Sequence, residues 1–188
     1  MQSPKVIKGN TEDEIWQQIT ADLSNQTEIL EYEALIDQGD KQIVLDIDID
    51  LGGGFESGYE STMLRAPLHI DQDFRFAVHD EGFIDEVGKF FGMQDVETGY
   101  EEFDKATLIK SNDEEKVKAL FADASVRRVM QSLDDYTFGI IMHHTNHDEK
   151  GPFLELYINT AITDAADLRQ IYHAFYTVLN LLDYNTKQ

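Results

Sequence analysis

The stretch from Ile43 to Leu51 constrains the fold more than any other part of the chain. Ile43, Leu45, Ile47, Ile49 and Leu51 recur at every second position, and Asp46, Asp48 and Asp50 fill places between them. A repeat of two belongs to a β-strand, whose successive side chains point to opposite faces. A strand patterned in this way covers a core with one face and meets water with the other, as in an antiparallel sheet with one side covered. The chain must therefore supply partner strands on both sides of this segment and helices to close over its apolar face.

Both are legible. Leu30, Tyr32, Ala34 and Ile36 alternate ahead of a turn at Asp37-Gln38-Gly39-Asp40, and further strands are expected over 59–68 and 74–79, the latter grouping Phe74, Phe76 and Val78. Strand, turn and strand in this order predict an antiparallel meander. Helical spacing appears in Ile15, Trp16, Ile19 and Leu23, behind Thr11 and Glu14 placed as a capping box. It returns at Phe83, Val87, Phe90 and Phe91, with Gly92 as the stop. A loop then leads to a short strand over 107–110, which precedes a helix capped by Asn112 with Glu115, carrying Val117, Leu120 and Phe121. A second short helix holds Val126, Val129, Met130 and Leu133. Strands over 136–144 and 153–161 flank a polar hairpin, and Thr163 or Asp164 caps a final helix striped by Leu168, Ile171, Phe175, Val178, Leu179 and Leu182. The fold class is α+β, an antiparallel sheet with helices packed mainly on one face, in the order α-ββββ-α-β-αα-ββ-α. Residues 1–10 read as a flexible leader and 11–188 as one domain, since 188 residues suit a single core of ordinary size.

Composition narrows the function. The chain has 15 Lys plus Arg against 37 Asp plus Glu, a formal net charge of −22, yet 41% of its residues are apolar and 11% aromatic. That apolar content is what a core needs and what acidic disordered chains lack. The negative excess repels phosphate backbones and anionic lipid, so neither nucleic acid nor membrane is an expected partner. No cysteine is present, which removes disulfides, thiolate nucleophiles and thiolate metal sites and fits a reducing compartment. The opening residues show no apolar stretch of a secretory signal, and the expected location is the cytoplasm.

Several constellations can be weighed for chemistry. Asp46, Asp48 and Asp50 sit about 6.6–7 Å apart along one strand face, too far apart to share an ion without a neighbouring strand. Their D-x-D-x-D spacing opens an EF-hand loop, but Leu51 and Ser57 occupy the positions that need glycine and glutamate. His69, Asp71 and Asp73 alternate in an extended stretch and are the other candidate ligands for Ca²⁺ or Mg²⁺. His143, His144 and His147 gather beside Asp148 and Glu149, but neighbouring strand residues face opposite ways, which separates His143 from His144. His79 has the side chain of an acid–base residue, and solvation at a strand end accounts for it equally well. The glycine-rich 52–58 segment lacks the Lys-Ser/Thr of a phosphate loop, and Ser57 stands one place late for a nucleophile elbow. Tyr157, Tyr172, Phe175 and Tyr176 fit either a core or an interface.

The run Phe90-Phe91-Gly92-Met93-Gln94-Asp95-Val96-Glu97-Thr98-Gly99, then Phe103-Asp104, then Ile109-Lys110-Ser111-Asn112-Asp113, resembles a segment of an uncharacterised bacterial family of domains of unknown function. There a Gly-x-x-Asp-apolar-x-Thr-Gly stretch precedes Phe-Asp and a Lys-Ser-Asn-Asp-like strand-to-helix junction. The likeness covers about residues 90–133 and implies structure only. Thr98-Gly99 reads as a turn, Phe103 as an anchor in the core, and Asn112 as a helix cap.

Two functions from different classes follow. The first is a non-catalytic protein-binding module, chaperone-like or immunity-like, whose negative field speeds encounter with a basic partner. Loosely, the strand-strand-long helix order at the carboxyl end resembles secretion chaperones. The alternative is a divalent-metal-binding protein or metal-assisted hydrolase built on Asp46, Asp48, Asp50, Asp71 and Asp73 with a nearby histidine, which requires three donors within about 2–2.6 Å of one ion.

Overall fold

A computed structural model describes residues 4–26, 28–53, 57–69, 73–80, 92–144 and 150–184. Its nine described strands join one sheet in the order β1-β2-β3-β4-β9-β8-β5-β7-β6. The strands are β1 (Lys5–Gly9), β2 (Glu31–Gln38), β3 (Lys41–Asp50), β4 (Tyr59–Pro67), β5 (Phe76–Asp80), β6 (Gln94–Asp95), β7 (Thr107–Ser111), β8 (Tyr136–His144) and β9 (Lys150–Ile158). The helices are α1 (Glu12–Ser24), α2 (Glu101–Ala106), α3 (Glu114–Leu120), α4 (Ala124–Ser132) and α5 (Ala165–Tyr184). All strand pairs are antiparallel except β1 with β2. The α+β class read from the sequence is the class observed.

The alternation holds as expected from Ile43 to Asp48, but Ile49 is half-buried and Leu51, expected on the covered face, lies beyond the strand end and is 71% exposed. Ile43, Leu45 and Ile47 are fully buried, while Val44, Asp46 and Asp48 are half-buried on the other face. The buried face continues through Tyr32, Ala34 and Ile36 of β2 and Leu64 and Ala66 of β4. Helix α5 supplies Leu168, Ile171, Tyr172, Phe175, Val178, Leu179 and Leu182 to the same core, and α1 adds Ile15, Trp16, Ile19 and Leu23. The Trp16 and Tyr172 rings meet edge-on at 5.6 Å, and the Tyr172 hydroxyl donates to Gln38 Oε1 at 2.7 Å, so the buried hydroxyl and the buried amide oxygen satisfy one another.

The caps explain where the helices begin. Thr11 Oγ1 accepts from Glu14 N at 3.3 Å, and Glu14 Oε2 accepts from Asn10 N at 2.7 Å, one residue ahead of the N–H a strict capping box would use. Asp164 Oδ1 accepts from Ala166 N and Asp167 N and so is the residue that starts α5. Asp104 holds the Thr98-Gly99 turn: its carboxylate accepts from Thr98 N, Thr98 Oγ1 and Gly99 N at 2.6–2.9 Å. Phe103 beside it is 1% exposed, an anchor as expected.

Four expectations are corrected. Lys5–Gly9 is not leader but the edge strand β1, held parallel to β2 and clipped by ion pairs from Lys5 to Asp22 and Lys8 to Asp37. The meander ends after β4, because the β8–β9 hairpin inserts between β4 and β5. The 101–106 segment, expected as loop, forms α2. Asn112 is not the α3 cap: Asp113 accepts from Lys116 N, while Asn112 bonds Arg75 N and Asp73 O and so pins the approach to β5. The helix expected from Phe83 to Phe91 lies outside the described residues.

Candidate functional site

The outer face of the sheet, opposite α1 and α5, gathers the candidate residues that the structure brings together. Register decides which they are. In β2 and β3, Glu31 stands opposite Asp48 and Glu33 opposite Asp46. Directly opposed residues on one face have Cβ atoms about 4.5–5.5 Å apart, and like charges so placed oppose pairing. Asp46, Asp48, Glu31 and Glu33 therefore form two stacked like-charge pairs on one face.

The local chemistry registers this crowding. Burial, then the charges of Glu33, Asp48 and Glu31, raise the Asp46 carboxyl above the ordinary aspartate range, and Arg65 pulls weakly the other way. Tyr59 Oη donates to Asp48 Oδ2 at 2.6 Å, and that bond with the Asp48 charge raises the phenol above its usual value. Asp50 turns aside, its Oδ1 accepting from Gly52 N at 2.8 Å where the strand ends.

The sign of the Asp46 shift fixes a pH effect. A carboxyl whose folded pKa is raised contributes stability that is fully present below the unfolded value, about 4, and lost as pH rises through the folded value. Replacing Asp46 by asparagine removes that loss. D46N should be more stable than wild type near pH 7 by about 0.5–1 kcal/mol, the scale of a cross-strand like-charge pair. The gap should close near pH 3, where wild-type Asp46 is protonated. Urea titrations at both pH values measure it, and a D46N less stable than wild type near pH 7 would mean that Asp46 is held by attraction, not crowded by repulsion.

The remaining candidates lie elsewhere. His69 follows the end of β4 and lines a groove of about 980 Å³ beside the β2–β3 hairpin and the carboxyl half of α5. In that groove Lys41, its side chain 10% exposed, reaches Asp183 at 2.5 Å and Asp40 at 3.2 Å. Burial works against the Lys41 charge, but the bonds to Asp183 and Asp40 outweigh it and keep the ammonium form. Asp73 offers its carbonyl to Asn112, and Asp71 lies outside the described residues. Among the described residues, no three His, Asp or Glu side chains come together to hold a metal ion. The separation of Asp46 and Asp48 from His69 and Asp73 follows from register, which sets Asp46 against Met63, well short of the end of β4.

Of the histidines, His143 faces outward and its Nε2 lies 2.8 Å from Glu155 Oε2, with Arg65 Nη1 3.9 Å from the same oxygen. His144 points the other way and is exposed, while His147, Asp148 and Glu149 lie outside the described residues. His79 is corrected from a solvated strand end to a buried position, 4% exposed, between Leu108 of β7 and Thr137 of β8. Gly54, Phe55 and Glu56 of the glycine-rich segment also lie outside the described residues. Tyr172 and Phe175 are core, and Tyr157 is half-buried on the outer face.

Glu31 and Glu33 were missed as site residues from the sequence, although a signal existed. The two-residue turn Gly39-Asp40 sets Gln38 opposite Lys41, and counting back along both strands sets Glu33 opposite Asp46.

Among the described residues no helix is long and apolar enough to cross a membrane. No family model matches the chain, and no curated protein matches it in sequence. In fold the chain is similar to the crystal structure of the mycobacterial trehalose monomycolate transport factor A, TtfA, with a TM-score of 0.50 and 6% identity, over 85% of this chain and 76% of that one. At that identity the likeness is one of fold alone.

Proposed function

We propose that this protein is a non-catalytic binding module that receives a basic protein partner on the outer face of its sheet, at the carboxylates of β2 and β3. The observation that carries this reading is the opposition of Glu31 to Asp48 and of Glu33 to Asp46. Solubility needs negative charge somewhere on a surface. It does not need carboxylates stacked across a strand pair, where they work against folding. A lysine or arginine brought by a partner relieves that repulsion beyond what Arg65 and Tyr59 supply in the free protein. The net charge of −22 also speeds encounter with a basic surface. Chaperone-like and immunity-like roles both belong to this class.

The test uses tagged wild type and the variant E33Q/D46N/D48N as parallel baits in lysate of the native host, at low and high salt. A basic protein retained by wild type, and lost both at high salt and on the variant, is the expected result, because exposed charge pairs are screened by salt. The purified pair should then bind about tenfold or more weakly when the variant replaces wild type. If wild type and variant retain the same proteins at both salt concentrations, the reading is wrong.

A further inference from the structure

The acidic face carries an apolar feature that charge does not explain. Val6 of β1 stands opposite Leu35 of β2, and Leu35 opposite Val44 of β3, so the three form one row across three strands. Val6 is 52% exposed, Leu35 and Val44 are half-buried, and none of the three belongs to the hydrophobic core. Scattered apolar side chains on a surface are ordinary. Three in register, on the solvent face of a chain with 37 acidic residues, are a built line. Glu33 and Asp46, themselves opposite one another, border the row on one side; on the other lie Lys8, ion-paired to Asp37, and Gln42, and Arg65 of β4 stands opposite Val44 where the row ends.

The spacing selects an occupant. Side chains in the row follow the strand separation, about 4.8 Å. Along an α-helix, positions i, i+3 or i+4, and i+7 advance about 4.5–6 Å per step on one face. A helix lying along the row therefore meets Val6, Leu35 and Val44 with successive residues of one stripe. An extended segment laid the same way advances about 6.6–6.8 Å between same-face residues and falls out of step. The carboxylates beside the row then call for cations flanking the stripe.

We propose that Val6, Leu35 and Val44 form the docking line for a cationic amphipathic helix of the partner, with its lysines or arginines on Glu33 and Asp46. This rests on the basic-partner reading and specifies the shape of what binds.

Three labelled synthetic peptides of one length test it against the full chain by fluorescence anisotropy at low salt. One is a leucine–lysine helix with leucines at i, i+3, i+4 and i+7. The second has the same composition scrambled to abolish the stripe, and the third replaces lysine by glutamate. The striped cationic peptide should bind about tenfold or more tightly than the scramble, and the glutamate peptide should not bind. The variant L35S/V44S, whose altered side chains lie outside the core, should erase that advantage and leave the affinity of the scramble unchanged. Its melting curve, compared with wild type, establishes that it is folded. Equal binding of the striped and scrambled peptides, both weakened in E33Q/D46N, would overturn the helix and leave the basic-partner reading standing. An advantage that survives in L35S/V44S would overturn this row as the site. Failure of every cationic peptide to bind would overturn both.

Discussion

Replacing Phe138 with alanine is expected to lower the free energy of unfolding by about 3–5 kcal/mol. For a chain of this size that corresponds to a fall of roughly 6–20 °C in Tm. Phe138 is 1% exposed on β8, and its ring contacts three elements far apart in sequence. Its centroid lies 5.7 Å from Phe76 on β5, 6.4 Å from Phe121 after α3, and 6.1 Å from Phe175 on α5. The first two contacts are nearly perpendicular, the edge-to-face arrangement that adds to simple burial. Truncation leaves a void between strands bonded to one another and a helix fixed by its own stripe, so the walls have little freedom to close. Urea denaturation with a thermal melt reads the effect. A loss under about 1 kcal/mol would show that the walls collapse onto the site and that the aromatic cluster is not a rigid centre.

How much of this was legible follows from what each residue records locally. Ile43, Leu45 and Ile47 declare their strand because burial on one face imposes a period of two on neighbouring residues. The stripe on α5 declares a helix for the same reason, at a different period. Val6 and Ile7 declare nothing of the kind: β1 has only five residues, one of them buried, and becomes a strand through its parallel pairing with β2. The position of the β8–β9 hairpin between β4 and β5 is likewise a relation between distant segments, and local pattern names strands without ordering them. Helix α2 buries Phe103 alone, too few apolar positions to define a period.

At the candidate site the same division holds. Asp46 and Asp48 were visible as the polar phase of an alternating strand. Their crowding by Glu33 and Glu31 emerges only when two strands are set in register. The apolar row needs three strands, and no single segment contains it. Asn112 and Asp113 are both good caps, and choosing between them depended on Arg75, whose N–H takes the Asn112 side chain from more than thirty positions away.

Gly139 gives the second large effect, and here the sign opposes what local propensity expects. Glycine inside a strand is poor for stability, so G139A and G139V ought to be gains on propensity alone. In the structure they are losses. Gly139 pairs with Ala77 of β5 and with Glu155 of β9, and a Cβ at this position would lie 2.4 Å from Phe76 O and 3.0 Å from Ala77 Cα. Both are backbone atoms, with no flexible side chain to swing aside. Accommodating even one methyl requires β5 to move away from β8, and β5 is also bonded to β7 on its far side. Overpacking of this kind ordinarily costs about 1–3 kcal/mol. G139A should fall in that range, while G139V, with two further methyls against the same backbone, should lose about 3 kcal/mol or more. Because the strain is localised between β5 and β8, amide hydrogen exchange in G139A should accelerate at Phe76–Asp80 before it does at β2 and β3. A G139A chain as stable as wild type would mean that β5 and β8 part without loss, and that the close approach is not what fixes the centre of the sheet.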